Sequence, residues 1–332
     1  MATKFSIIVP VFNRPNEVDE LLESLTHQTY TDFEVVIVED GSAQSSDKVV
    51  EKFSDTLSIS YYFKPNTGPG DSRNYGMRKA KGNYFIILDS DCILPPNYMQ
   101  EVHTALSNDY VDCFGGEDAA SDSFTDVQKA INFTMTSVLT TGGVRGSSEK
   151  LGKFQPRSFN MGISKKAFEA SAGFGKIHPG EDPDLSMRLW KLGFQTRLFN
   201  NVYVFHKRRI DWSKFKTQVN KFGKARPILD SWHPEYRRIT FWFPTLFLAG
   251  FIFSVCVALT GYPHVLWMYF LYFLMCFLIS TFQNKSVSIG FLSVYAVAIQ
   301  FWGYGTGFLL SFWNISVLNK KPQEAFPELF FR

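Results

Sequence analysis

The chain has 332 residues, 34 Lys and Arg against 31 Asp and Glu, and a formal charge of +3, so charge as a sum singles out no class of partner and its distribution has to be read instead. Four cysteines without metal-ligand spacing give neither a disulfide framework nor a zinc site. Sequence up to about Arg238 is mixed and charged; after Thr240 it is nearly uncharged, which marks a membrane part.

In chain order, residues 5–12 read as a first strand, too short for the apolar region of a signal peptide. Asn13-Arg14-Pro15-Asn16 is a turn leading into a helix over 17–28, with Val18, Leu21, Leu22 and Leu25 on one face. A second strand over 33–38 ends in Glu39-Asp40-Gly41-Ser42, and a short helix over 48–53 and a strand over 59–63 follow. The glycine-broken loop Asn66-Thr67-Gly68-Pro69-Gly70 opens a helix over 71–81. The apolar run that begins at Asn83 is too short for a helix and closes in Asp89-Ser90-Asp91, the pattern of a buried parallel strand. Four alternations of strand and helix predict an α/β domain with a doubly wound, mostly parallel sheet.

Ligands of such sheets bind beyond the carboxyl ends of the strands. Asn13 with Arg14, Glu39 with Asp40, and Asp89 with Asp91 all follow strand ends. Two carboxylates one residue apart repel unless a cation or proton lies between them, and oxygen ligands suit Mg²⁺ or Mn²⁺ bridging a diphosphate. Asp40 is suited to accept from a base N–H or ribose hydroxyl, and Arg73 to pair with phosphate. The bland alternatives are solvated turns at residues 40–42 and 89–91, and a surface helix position for Arg73. Gly68-Pro69-Gly70 has neither the P-loop nor the dinucleotide spacing, which argues against a kinase or dehydrogenase.

The blocks Ile8-Val9-Pro10-Val11-Phe12-Asn13-Arg14, residues 28–42, Asn66-Thr67-Gly68 with Arg73-Asn74-Tyr75-Gly76, and Asp89-Ser90-Asp91 stand in the order and spacing that resemble family 2 glycosyltransferases of the GT-A fold. The resemblance extends to about Arg226 and implies inverting sugar transfer from a nucleotide-diphosphate donor. By that resemblance Pro10 and Asn13 lie beside the base, Asp40 on base or ribose and Arg73 near the diphosphate; Arg14 and Glu39, at strand ends, and Asp89 and Ser90 of the acidic turn are the further expected donor-binding residues. Asp89 and Asp91 hold Mn²⁺ or Mg²⁺. UDP-sugars are the expected donors, with GDP- and dTDP-sugars as alternatives.

In the second half, a strand over 110–114 precedes Gly115-Gly116-Glu117, where the glycines let backbone approach a sugar or form a bulge. Residues 128–153, rich in Thr, Ser and Gly, have the look of an acceptor loop, and a short strand over 159–164 precedes a helix over 165–170. In Gly180-Glu181-Asp182-Pro183, Pro183 suits the first turn of a helix with Leu185, Leu189 and Leu192 on one face, leaving Glu181 and Asp182 at its N-terminus. The resemblance makes Asp182 the catalytic base and Glu181 its neighbour and acceptor contact; helix capping alone also accounts for an acidic pair there. His206 follows an apolar strand, where a lone His is commonly structural; the resemblance suggests a third metal ligand. The Gln-x-x-Arg-Trp element of processive synthases is absent.

The expected organisation is a catalytic domain over 1–206, divided into a nucleotide-sugar half (1–93) and an acceptor half (94–206). A basic amphipathic juxtamembrane segment (207–240) on an anionic leaflet, transmembrane runs within 241–318 and a tail (319–332) follow. The third run, interrupted by Gln300, Gly303, Gly305 and Gly307, reads either as a span or as a broken, re-entrant pair. Together these readings give a multi-pass enzyme of the inner membrane with its catalytic domain in the cytoplasm. Its acceptor is a polyprenyl-diphosphate-linked saccharide of surface glycan synthesis; membrane lipid and a second copy are further partners, and nucleic acid is not. Alternatives are a polyprenyl-phosphate sugar synthase, whose phosphate nucleophile needs no base, and a catalytically silent scaffold subunit.

Overall fold

The structure, a computed structural model, describes residues 3–119, 124–141, 153–206 and 211–331, without the side chains of Ala119 and His206. The chain divides into two compact units, Met1–Ser121 with Glu149–Lys207 and Phe331–Arg332, and Asp122–Ser148 with Arg208–Phe330.

The first unit alternates as the sequence predicts: β1 (Phe5–Val11), α1 (Pro15–Thr26), β2 (Phe33–Asp40), α2 (Asp47–Glu51), β3 (Ile59–Lys64), α3 (Pro69–Lys79), β4 (Tyr84–Leu88), β5 (Cys92–Ile93) and α4 (Tyr98–Asn108). β6 (Cys113–Ala119) follows, and after α5 (Asp126–Thr136) and α6 (Val138–Thr141) of the second unit come β7 (Asn160–Ser164), α7 (Lys165–Ser171), α8 (Glu181–Lys191) and β8 (Thr196–His206). The sheet order is β3-β2-β1-β4-β7-β6-β8-β5. β3, β2, β1 and β4 are parallel, β7 runs antiparallel to β4 and β6, and β6 is parallel to β8. From β1 the chain winds outward through β2 to β3, then returns to lay β4 on the other side of β1. The crevice therefore opens at the carboxyl ends of β1 and β4.

Period-two alternation builds both faces of this sheet. Ile7, Val9, Ile37, Ile86 and Leu88 bury one face under Val18, Leu21, Leu22 and Leu25 of α1 and Tyr98, Met99 and Val102 of α4. Ile8, Val36, Val38, Phe85 and Ile87 bury the other under Met77 of α3, Phe168 of α7 and Leu185 and Leu189 of α8. Leu192, expected on that same face, caps the end of α8 and is 51% exposed.

Two expectations change here. Gly115 and Gly116 lie inside β6 rather than after it, and the register shift falls between Gly116 and Glu117. A Cβ on Gly116 would come within 2.0 Å of the Val202 carbonyl oxygen and 2.2 Å of Asn160 Nδ2, so this glycine serves sheet packing at a bulge. The stretch from 128, expected as a loop, begins with α5 and α6; Ile131 and Met135 pack on Phe215, Val219 and Ala296 within the second unit. Residues 142–152 of that stretch lie outside the described residues.

The second unit continues with α9 (Trp212–Trp232), α10 (Phe243–Leu259), α11 (His264–Asn284) and α12 (Val287–Phe312), closed by a π turn over Trp313–Val317 and a short α13 (Pro322–Ala325). Among the described residues three helical stretches, Ile239–Leu259, His264–Asn284 and Val287–Val317, are long and apolar enough to cross a membrane. α12 is one continuous helix, not a broken pair. Its glycines are contact points: a Cβ on Gly303 would meet Val219 Cγ2 at 2.6 Å, and one on Gly307 the Asn220 carbonyl at 2.4 Å. Gly223 of α9 reciprocates against Tyr304, its would-be Cβ lying 2.2 Å from that carbonyl. Small residues here let two helix backbones approach.

Candidate active site

The site is assembled in the first unit at the crevice between β1 and β4. Asn13, just beyond β1, has a left-handed backbone (φ 54°). Its N–H donates to Ser42 Oγ at 2.7 Å, and its Oδ1 accepts from the N–H groups of Ala43 (2.7 Å) and Gln44 (3.1 Å). Asn13 thus clamps the turn after β2. Glu39 is fully buried inside the same turn, accepting from Ser42 Oγ, from the Ser46 N–H at 3.0 Å and from Tyr61 Oη at 3.1 Å. The structure therefore uses Glu39 to hold the turn and does not bring it to the crevice.

Asp40 ends β2 and is 4% exposed. Its Oδ1 accepts from Lys64 Nζ at 2.6 Å and the Thr67 N–H at 3.0 Å, and its Oδ2 from the Gly68 N–H at 2.9 Å. Lys64, which the sequence reading missed, closes β3 as Asp40 closes β2, in the parallel register Asp40↔Lys64.

The Asp89-Ser90-Asp91 turn after β4 carries two arginine pairs. Arg73, 4% exposed on α3, donates through Nη2 to Asp89 Oδ1 at 2.8 Å, and Arg14 pairs with Asp91. Arg14 and the Asp89 side chain stay partly open to solvent, whereas Ser90 and Asp91 are buried. Cys92, next to Asp91, pairs through its backbone with His206, whose side chain lies outside the described residues. Among the described residues no three His, Cys, Asp or Glu side chains gather around one point.

Arg73 also reaches the opposite wall. Its Nη1 lies 3.4 Å from Glu181 Oε1, and its guanidinium stands 5.4 Å from the centroid of the Phe174 ring. Glu181 and Asp182 begin α8 behind Gly180, whose φ of 131° suits glycine. Glu181 accepts from His178 Nδ1 at 2.8 Å and from the Gly180 N–H at 3.0 Å. Asp182 Oδ2 accepts from the Ser158 N–H at 3.2 Å, while its Oδ1 is buried with no hydrogen-bond partner among the described residues.

These surroundings separate two adjacent carboxyl groups. For Asp182, burial and then the charge of Glu181 push the pKa up to about 6, against the pull of Arg73 and Arg157. Burial acts the same way on Glu181, but the charge and hydrogen bond of His178, joined by Arg73, bring it down to about 2. Burial opposes protonation of His178, yet the Glu181 charge raises its pKa. The Arg73 guanidinium is likewise buried, and Asp89, Glu181 and Asp182 hold it charged. His178 and Phe174 escaped the sequence reading because a lone His and a lone Phe in a loop carry no spacing signal; the proximity of His178 to Glu181, three residues on, is the one clue.

Residues 6–170 match the sequence family described as Glycosyl transferase family 2. The chain carries a family 2 glycosyltransferase domain. A glycosyltransferase named GlyA from Streptococcus pneumoniae is 35% identical over 101 residues, covering 30% of this chain and 14% of that protein. The poly(ribitol-phosphate) beta-N-acetylglucosaminyltransferase TarS of Staphylococcus aureus is 39% identical over 92 residues, 26% of this chain and 16% of its own length. The curated relatives are therefore matched over a minor part of their length. Among solved structures, a mannosyltransferase from Pyrobaculum calidifontis in complex with GDP-Man and Mn²⁺ superposes with a TM-score of 0.62 at 14% identity, over 91% of this chain and 88% of that one. Residues 1–349 of S. aureus TarS superpose with a TM-score of 0.52 at 19% identity, over 96% of this chain and 92% of theirs. At those identities the likeness bears on the fold alone, a GT-A type mostly parallel sheet.

Proposed function

We propose that the protein is an inverting, metal-dependent glycosyltransferase of the inner membrane, moving a sugar from a nucleotide-diphosphate donor to a polyprenyl-diphosphate-linked saccharide. The observation that carries this reading is Asp182: a carboxylate with one oxygen buried and unpartnered, titrating near 6, beside a crevice lined by arginines and acidic residues. A base for a hydroxyl nucleophile needs a pKa near the working pH and an oxygen not already committed to a donor. A phosphate nucleophile needs no such base, so the saccharide acceptor is favoured over the lipid phosphate. The bound ligands of the two solved neighbours, GDP-Man with Mn²⁺ for one and UDP-GlcNAc for another crystal of TarS, support a nucleotide-sugar donor.

The donor diphosphate lies at the end of β4, with Arg73 and Arg14 as its cationic partners, and the base lies toward Asp40, Pro10 and Asn13. Asp89 and Asp91, each paired with an arginine here, are the carboxylates that would hold a divalent cation through their hard oxygens. Such an ion supplies positive charge to the departing diphosphate. Asp182 takes the acceptor hydroxyl proton as that oxygen bonds to the anomeric carbon, and the bond from that carbon to the diphosphate breaks with its electron pair leaving on the nucleotide. Glu181, kept ionised by His178 and Arg73, orients Arg73 and keeps the proton-accepting role with Asp182. The three long apolar helices support a membrane anchor, and an anchored enzyme draws its lipid acceptor from a confined pool.

The test is nucleoside diphosphate release and glycolipid formation by the detergent-purified chain, supplied with UDP-, GDP- or dTDP-sugars, Mn²⁺ and undecaprenyl-diphosphate-linked saccharides. Product from one donor, abolished by Asp182→Asn, is expected. Full transfer by Asp182→Asn contradicts the assignment of the base.

A further inference from the structure

Phe331 belongs to the first unit, far in sequence from everything it touches. Its N–H donates to the Lys176 carbonyl at 3.2 Å, and its ring centroid lies 5.7 Å from that of the His178 imidazole, tilted by 47°. The ring also covers Gly68: a Cβ built there would come within 2.3 Å of the Phe331 Cδ2 and Cγ atoms. Gly68 has φ 95° and donates its N–H to Asp40. Glycine is thus required twice at that position, for its backbone and for the ring above it. One aromatic side chain therefore spans from the turn that Asp40 anchors to the loop that carries His178.

His178 needs an external constraint. Its side chain is 41% exposed, and imidazole rotation about its last torsion has no sharp minimum of its own. Yet its Nδ1 is the group that holds Glu181 Oε1, and that oxygen and Asp89 Oδ1 are the two anchors of the Arg73 guanidinium. We propose that Phe331 is a positioning residue for sugar transfer: its ring fixes the His178 imidazole so that Nδ1 stays on Glu181, which in turn holds Arg73 between the two carboxylate centres. The inference rests on the glycosyltransferase reading above and adds a residue outside the matched family region, which ends at 170.

Two measurements on the full chain test it. The first needs no turnover: carbethoxylation of His178 by diethyl pyrocarbonate, read by peptide mass spectrometry, is expected to run several-fold faster in Phe331→Ala than in wild type or Phe331→Tyr. The second is steady-state nucleoside diphosphate release from UDP-GlcNAc, UDP-glucose, GDP-mannose and dTDP-rhamnose, using for the variants the donor that wild type consumes. Phe331→Ala is expected to lower kcat roughly 10-fold with KM little changed, Phe331→Tyr to restore it, and Phe331→Ala in a His178→Ala background to cost nothing more, because the two residues act as one unit. Unchanged His178 reactivity in Phe331→Ala, or losses that add in the double variant, overturns the proposal. Should Phe331→Ala not fold, Phe331→Leu replaces it in both arms with the same expectations. If wild type releases nucleotide from none of the donors, the enzymatic reading is what fails, and the modification arm still decides whether Phe331 holds His178.

Discussion

Glu181 and Asp182 are consecutive residues in the first turn of α8, and the fold treats them oppositely. Glu181 accepts hydrogen bonds from His178 Nδ1 at 2.8 Å and the Gly180 N–H at 3.0 Å, whereas Asp182 Oδ1 is shut from solvent without a partner among the described residues. A buried acceptor left unsatisfied is costly, and in the proposed function its partner is the acceptor hydroxyl.

Asp182→Asn is therefore expected to keep donor binding and to lower kcat by about 10²–10⁴-fold, the usual contribution of a positioned base. Wild-type kcat/KM should rise with pH through about 6 and level above it, since Asp182 accepts a proton only when ionised. The sign for stability is opposite. The folded-state pKa lies above the usual carboxylate value, so ionised Asp182 destabilises the fold at neutral pH, and that cost shrinks as pH falls below about 6 and is gone below the usual carboxylate value. Asp182→Asn should thus raise Tm at pH 7.5, by a free energy on the order of 1–3 kcal/mol. Glu181 works the other way, its contribution being present above the usual carboxylate range and lost as pH falls toward about 2. A pH–rate profile and a thermal melt of each variant check both.

Arg73 stands between Asp89 and Glu181 with 4% of its surface exposed. Arg73→Ala takes the guanidinium away from the buried Glu181 and the partly open Asp89 and is expected to destabilise the protein by about 3–5 kcal/mol. Arg73→Lys keeps the charge but cannot fork between two partners, so it should retain most of the stability and lose most of the turnover. Thermal melts paired with nucleotide release separate the two effects.

The Asp40–Lys64 pair is closed to solvent, with side-chain exposures of 5% and 10%. Asp40→Ala leaves Lys64 with Asp71 as its remaining carboxylate and frees the Thr67 and Gly68 N–H groups, so the turn above the proposed base pocket loses its anchor. Nucleoside diphosphate affinity is expected to weaken by about 1–3 kcal/mol, 5- to 150-fold, in calorimetric titration. Lys64→Met, which removes the charge but fills the volume, should weaken it less than Asp40→Ala.

Much of this was legible in the chain. β1, β2 and β4 announce themselves because their short apolar runs, 7–11, 35–38 and 84–88, fit a sheet buried on both faces. The acidic turn 89–91 and the Glu181-Asp182 pair were equally visible, because carboxylates at strand and helix ends carry a positional meaning. What was not legible depends on long-range packing. Glu39 looked like a ligand from its place beside Asp40, but side chains alternate along a strand, and its neighbour's direction is not its own. The glycines of α12 looked like a helix interruption, whereas their cause is α9, a helix about 80 residues earlier, which no local pattern reveals.

That glycine contact is itself testable. Gly223→Val places a branched side chain where the Tyr304 carbonyl lies 2.2 Å from a would-be Cβ. Overpacking of this kind costs about 1–3 kcal/mol, and the melt of the detergent-purified protein should fall accordingly. Gly261→Ala, at a glycine with nothing within 4 Å, tests the left-handed backbone (φ 95°) alone and should cost less.

The central claim is that the crevice at the ends of β1 and β4 binds a nucleotide diphosphate with a divalent cation on Asp89 and Asp91. The most direct measurement is thermal stabilisation of the purified chain by UDP, GDP, CDP and dTDP, each with and without Mn²⁺, in wild type and Asp91→Asn. A ligand at 100 times its Kd stabilises a native protein by about 2.7 kcal/mol, which a melt resolves. The account predicts a shift for one nucleotide, dependent on Mn²⁺ and lost in Asp91→Asn. A shift that survives both removal of the metal and Asp91→Asn would contradict the metal site, and no shift with any nucleotide would favour a scaffold that keeps the fold without the donor.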